Sequence, residues 1–119
     1  MPIAEISWDL TKPLDNTIKL EVSSLFINNN SCVALDQSLL ILPLKLRKFQ
    51  EGDYFYPTGM QGKKKLSKYF KDEKYSQIEK ENQWLLCSEN SIVWVIGKRA
   101  DRRYTSKPTD NNCLIIKAE

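Results

Sequence analysis

Apolar and polar residues alternate in two early stretches of the chain. Ile6, Trp8 and Leu10 are separated by Ser7 and Asp9, and Ile18, Leu20 and Val22 by Lys19 and Glu21. That two-residue period belongs to strands with one buried face. With Pro13, Asp15 and Asn16 between them, the two stretches predict a hairpin-like pair joined by a loop of several residues. A polar turn at Asn28, Asn29 and Asn30 leads to a short strand near Cys32 to Leu35, and Pro43 interrupts the apolar run that follows. Gly52-Asp53 and Pro57-Thr58-Gly59 bracket an aromatic strand, Tyr54-Phe55-Tyr56. Leu66, Tyr69 and Phe70 are spaced i, i+3, i+4 with Ser67, Lys68 and Lys71 among them, which predicts a short amphipathic helix. A second helical turn or two is expected over Ser76 to Asn82. Leu85 to Cys87 and Ile92 to Ile96 flank Ser88-Glu89-Asn90-Ser91 as a hairpin, its second strand apolar throughout and therefore expected to be central. Leu114 to Ile116 makes a last strand. The pattern predicts an α+β fold: a strand-rich single domain over residues 1–119, a small sandwich or barrel-like sheet, with one or two short helices inserted in the middle.

Composition narrows the class. The chain has 119 residues, 41% hydrophobic and 28% charged, the balance of an ordinary globular protein. Its longest apolar runs, Leu39 to Leu42 and Ile92 to Ile96, fall far short of the roughly twenty residues of a membrane-spanning helix. Met1-Pro2-Ile3-Ala4-Glu5 has no basic region followed by an apolar stretch, so neither a leader nor a membrane is expected and the location reads as cytoplasmic. Cys32, Cys87 and Cys113 are odd in number and widely spaced, which argues against a disulfide framework and against paired metal ligands. The chain has no histidine, which excludes His-based zinc sites, Ser-His-Asp triads and Cys-His dyads.

Charge changes the picture more. The net formal charge is only +3, but it is unevenly spread. Leu44 to Lys74 carries nine basic residues against four acidic ones, and Gly97 to Lys107 five against one. The rest of the chain is acidic, so two basic segments stand on a negative background and predict a basic face. Lys63, Lys64 and Lys65 precede the predicted helix, where cations oppose the macrodipole. Lys64, Lys68 and Lys71 are spaced as one helical face, which adds like-charge repulsion. A polyanion bound there would relieve both penalties.

The candidate motifs carry binding and not catalysis. Gly62-Lys63-Lys64 invites comparison with a phosphate-binding P-loop, but Pro57 stands where the first glycine belongs and Lys64 where Ser or Thr belongs. Gly59 and Gly62 still allow backbone to approach a phosphate closely. Among the carboxylates Asp36, Asp53, Asp72 and Asp101, no spacing brings two together as an acid–base pair, and Asp101, set among Arg99, Arg102 and Arg103, is expected to orient an arginine. Tyr54, Phe55, Tyr56, Tyr69, Phe70 and Trp94 suit either base stacking or core packing, with core favoured.

From Leu44 onward the sequence resembles the C-terminal domain of the tRNA(Ile)-lysidine synthetase family. The resemblance is carried in order by Leu44-Lys45-Leu46-Arg47, by Gly52 to Met60, by Gly62 to Ser67 and by Tyr69 to Asp72. Further on it is carried by Ile92 to Gly97 and by Arg99-Ala100-Asp101-Arg102-Arg103-Tyr104. It covers about half the chain strongly. It implies an ATP-dependent ligase, using ATP and Mg, that adenylates the wobble cytidine of tRNA(Ile) and joins lysine to it in an N-terminal ATP-pyrophosphatase domain. The Ser-Gly-Gly-x-Asp-Ser loop of that domain occurs nowhere in this sequence. The chain is therefore expected to be a C-terminal domain without catalytic residues, metal or cofactor of its own. Its implied partners are tRNA(Ile) and the parent's catalytic domain, with a homodimer left open. The resemblance implies recognition of the tRNA body and acceptor stem by Lys63, Lys64, Lys65, Arg99 and Arg103, with Arg47 in addition, and the local basic charge adds Lys68 to these candidates. Lys68, Lys71 and Arg102 depart from the family's usual pattern toward a more basic surface. The alternative is a structural module that packs against its parent or a second subunit and does not touch RNA.

Overall fold

The computed structural model describes residues 5–15 and 18–119. Met1 to Ala4, on which the leader reading rests, and Asn16 of the expected first connection lie outside these residues. In chain order the strands are β1 (Ile6–Trp8), β2 (Leu14–Asp15), β3 (Lys19–Ser23), β4 (Cys32–Asp36), β5 (Leu44–Arg47), β6 (Tyr54–Phe55) and β7 (Lys64–Lys65). Helices α1 (Leu66–Asp72) and α2 (Gln77–Asn82) follow, then β8 (Leu85–Ser88), β9 (Ser91–Val95), β10 (Arg99–Ala100) and β11 (Cys113–Ala118). They form an antiparallel five-stranded sheet β1-β5-β8-β9-β10, a four-stranded sheet β2-β3-β11-β4, and the two-stranded ribbon β6-β7. The strand-rich fold with two short helices agrees with the sequence pattern. The barrel-like alternative does not, because among the described residues neither larger sheet closes on itself.

The expected pairing of the first two strands is corrected by the structure. β1 lies on β5, with Ile6 opposite Leu46, whereas β3 lies between β2 and β11 in the other sheet. Alternation marks a residue stretch as a strand but carries no information about its neighbour, and here β1 pairs with a strand from later in the chain while β3 pairs with β2 just before it and with β11 near the end.

One core is shared by the two larger sheets. Trp8, Leu44, Leu46, Leu86 and Trp94 of the first meet Leu20, Val33, Leu35, Leu114 and Ile116 of the second. The opposite face of the five-stranded sheet is covered as well. Leu85, Cys87, Ile92 and Val95 pack there against Phe55, Leu66, Tyr69 and Phe70 from the ribbon and α1. β9 is thus buried on both faces from Ile92 onward, which is why its sequence there is apolar without alternation. It is flanked by β8 and β10, with β8 in the middle of the sheet. Each fully buried side chain such as Phe55 or Phe70 contributes about 1.5–3 kcal/mol. The ribbon and helix are therefore fixed to the sheet by apolar burial, and their outward faces are held in defined positions.

Local signals fix the helix ends. Leu66, Tyr69 and Phe70 bury the inner stripe of α1, and its first backbone N–H, that of Leu66, donates to Asp53 O at 2.8 Å. α2 opens with a capping box, Ser76 accepting from Glu79 N at 3.1 Å while Glu79 accepts from Ser76 N at 2.9 Å.

Candidate nucleic-acid interface

Strand alternation, and not helical periodicity, sorts the lysine triplet. In the ribbon, Tyr54 stands opposite Lys65 and Phe55 opposite Lys64. Residues opposite one another share a face, and successive residues alternate between faces. Phe55 turns inward and is wholly buried, while Tyr54 turns outward with 44% of its surface exposed. Lys63 sits on the outward side, its Nζ 4.6 Å from the centre of the Tyr54 ring, and Lys65 and Lys68 are exposed. Lys64 folds the other way: its ammonium lies 2.6 Å from the Asp72 carboxylate, and its side chain is mostly covered.

That pair corrects the expected repulsion among Lys64, Lys68 and Lys71. Lys64 precedes the helix and is neutralised by Asp72 at the helix's far end. The hydrogen bond from Lys64, followed by the fields of Lys64, Lys68 and Lys71, holds the Asp72 carboxyl below its ordinary value.

The second basic segment is joined to the ribbon through Asp101, which is completely buried. A register shift between β8 and β9 places Leu86 opposite Trp94 and Cys87 opposite Ile92, leaving Val93 as an extra residue. The Val93 carbonyl accepts from Asp101 N at 2.7 Å, a bulge used to position a side chain. One carboxylate oxygen of Asp101 accepts from Tyr56 N at 3.0 Å, and the other accepts from Arg103 N at 2.8 Å. Arg103 closes the arrangement with its Nε at 3.1 Å and Nη2 at 2.9 Å from the same carboxylate. The hydrogen bond that Arg103 donates to Asp101 also raises the Arg103 pKa. Arg102 N donates to Tyr56 O at 2.7 Å and Thr58 N to Ala100 O at 3.0 Å, so the loop after β6 is tied along the arginine segment. Asp101 therefore orients an arginine, as its sequence neighbours suggested, and in addition holds the loop that carries Tyr56.

The result is a pair of neighbouring rings flanked by cations. Lys63 lies over Tyr54, which meets Tyr56 edge-on at 6.2 Å. Arg103 stands 4.1 Å and Arg102 5.3 Å from the centre of the Tyr56 ring. Arg99 is half-buried and donates to Thr58 O at 2.7 Å, with Nη1 3.6 Å from where a Cβ on Gly59 would lie. Gly59 has φ +79° and Gly62 φ +74°, so both hold the loop in a conformation L side chains rarely adopt. A depression of about 380 Å³ beside this loop is lined by Met60, Gln61 and Gly62 and by Lys63, Lys64, Lys65 and Lys68. A larger one, about 780 Å³, involves Lys19, Lys48 and Glu119, charges of both signs, and lacks this single-sign character.

Arg47 does not join this surface. Its side chain is 8% exposed and grips Asp53, 11% exposed, through Nη1 at 2.8 Å and Nη2 at 3.0 Å. Asp53 also accepts from Gln50 N at 2.8 Å, so the pair locks the turn into β6. Arg47 faces inward because its partner lies within a sharp turn six residues later, which charge counting could not reveal. Of the aromatic residues, Phe55, Tyr69, Phe70 and Trp94 are core, as favoured, whereas Tyr54 is exposed and Tyr56 half-buried. On sequence alone these two are weighed for base stacking but core is favoured, and Arg102 stands only as added basic charge. The spacing Tyr54-x-Tyr56 against Lys63-x-Lys65 was the signal that could have found them.

Comparison with known proteins gives a family match, relatives and a solved structure. Residues 44–116 match the family described as TilS substrate C-terminal domain. Over 91 residues the chain is 50% identical to a tRNA(Ile)-lysidine synthase of Parabacteroides distasonis, covering 76% of this chain and 21% of that protein. Over 103 residues it is 34% identical to the tRNA(Ile)-lysidine synthase of Porphyromonas gingivalis, covering 84% and 22%. The chain thus spans about a fifth of the length of the curated relatives it matches. The crystal structure of a TILS C-terminal domain shares the fold with a TM-score of 0.76 over 98% of this chain and 97% of that one, at 19% identity.

Proposed function

Since the chain belongs to the TilS substrate C-terminal domain family, we propose that it is the tRNA-recognition unit of a tRNA(Ile)-lysidine synthetase. In this reading residues 1–119 act as one cytoplasmic domain. It holds the body and acceptor stem of tRNA(Ile) while ATP-dependent joining of lysine to the wobble cytidine proceeds in another part of the parent enzyme. The observation that carries it is the convergence of Lys63, Lys65 and Lys68 with Arg102 and Arg103 around an anchored loop. A-form RNA offers mainly phosphates and 2′-hydroxyls to such a surface, and lysines and arginines held on a rigid frame suit those groups. Arg99 supports the loop from beneath, and Lys64 acts mainly through Asp72.

Filter binding of the chain to a tRNA(Ile) transcript across a salt series tests this. Affinity is expected to fall steeply with log[salt]. Lys63→Gln and Lys65→Gln are each expected to shallow the slope by about 0.7–0.9, and Lys64→Gln by less. A flat salt dependence refutes the electrostatic account. A packing role is favoured by one other observation, the exposed Val22, Leu25 and Ile27 on and after β3. A chain that retains neither tRNA nor a generic duplex would be the outcome for that reading.

A further inference from the structure

The lysines account for phosphate contacts, but they leave the two tyrosines without a role. In an A-form helix the bases are stacked inside, so an exposed ring has no base face to meet. Unpaired nucleotides do offer one, and each alternates a flat base with an anionic phosphate. The row of Lys63, Tyr54, Tyr56 and Arg103 sets two neighbouring rings between two cations, which offers faces for bases and charges for the phosphates on either side of them. Its rings are preorganised. Tyr54 is held by the ribbon, and Tyr56 is pinned through its N–H to Asp101 and through its carbonyl to Arg102 N.

Beside this row lies a depression of about 340 Å³ between Tyr54 and Arg103, with Asn90 of the β8–β9 turn and Ser91 at the start of β9 on its wall. That volume is at the lower end of small-molecule sites. Asn90 supplies both donor and acceptor and Ser91 a hydroxyl, the groups that read a base edge. Glu51 and Asp53 also border it, and Asp53 is already committed to Arg47. The remaining carboxylate, Glu51, disfavours a phosphate on its side and suits an exocyclic amino group.

We propose that this depression holds one unpaired nucleotide adjoining the RNA helix, its base stacked on Tyr54 with its edge toward Asn90 and Ser91, and its phosphate toward Arg103. The site rests on the RNA-binding reading above and adds the class of nucleotide recognised.

The test uses the 119-residue chain and three RNA hairpins: one blunt, one with a four-nucleotide 3′ extension and one with a four-nucleotide 5′ extension. An extension is expected to tighten binding about tenfold over the blunt hairpin, the scale of one base stacked on an aromatic ring. Tyr54→Leu is expected to bring that ratio close to one. A 2-aminopurine at the first unpaired position should change its fluorescence on binding the parent chain and not on binding the variant. Which extension gains identifies the strand end that is read. Equal, salt-dependent binding of all three hairpins overturns the proposal while leaving the RNA-binding reading intact. No binding to any of them removes both. A ratio that Tyr54→Leu does not alter also overturns the proposal.

Discussion

Arg47→Ala separates a structural arginine from an RNA-binding one. The substitution removes two hydrogen bonds to Asp53, at 2.8 and 3.0 Å, and one to the Lys48 carbonyl at 3.1 Å. The Asp53 carboxylate, 11% exposed while Arg47 is in place, keeps only the Gln50 N–H as partner. Removing one partner of such a pair costs about 3–5 kcal/mol, chiefly because the remaining charge stays unpaired away from water. For a domain whose whole stability is on the order of 10 kcal/mol, that is a large fraction. Urea unfolding followed by fluorescence of the buried Trp8 and Trp94 should show a loss of about 3–4 kcal/mol. Arg47→Met combined with Asp53→Asn should lose less than Arg47→Met alone, because no buried charge is orphaned. The salt slope of tRNA binding, measured where the variant is folded, should be unchanged. A loss below about 1 kcal/mol, or a slope reduced by the about 0.7–0.9 of one phosphate contact, would refute the assignment.

Two further outcomes follow from the same geometry. Asp101→Asn is expected to cost about 2 kcal/mol, less than at Arg47, because the Arg103 side chain is 38% exposed and can rehydrate. An amide nitrogen cannot accept a hydrogen bond, so hydrogen exchange at Tyr56 N–H or Arg103 N–H should accelerate, and unaltered protection at both would contradict the role given to Asp101. Burial pushes the Cys87 thiol up from an ordinary value of 9.0 to about 11. The folded chain then keeps a proton that the unfolded chain releases, so this contribution is fully present below about pH 9 and is lost as pH rises toward about 11. Maleimide labelling at pH 8 should modify the half-buried Cys113 well before Cys87, and equal rates would count against the burial described.

Much of the fold was legible where local physics decides it. The spacing of Leu66, Tyr69 and Phe70 predicted α1, the Ser76 and Glu79 pair lies at the start of α2, and the β8–β9 hairpin follows from two apolar runs around a polar turn. Strand partners were not legible. β1 and β3 alternate alike yet enter different sheets, because pairing depends on which distant edges the whole core leaves open. The basic segments were visible as charge, but the side on which each cation falls was not. Lys63, Lys64 and Lys65 look equivalent in sequence, and only their pairing with Tyr54 and Phe55 separates two outward lysines from one turned toward Asp72.

The sequence by itself determined the strand-rich class, the two short helices, the family resemblance and the concentration of positive charge, since each depends on residue type and short-range spacing. The tertiary structure alone decided that Arg47 is an interior partner of Asp53. It also decided that Asp101 ties the Tyr56 loop to Arg103, and that Tyr54 and Tyr56 stand outward among the cations. The physical reason is that a charged or aromatic side chain has no fixed role until burial sets whether it meets water or a partner. Burial here is set by sheets whose strands come from opposite ends of the chain.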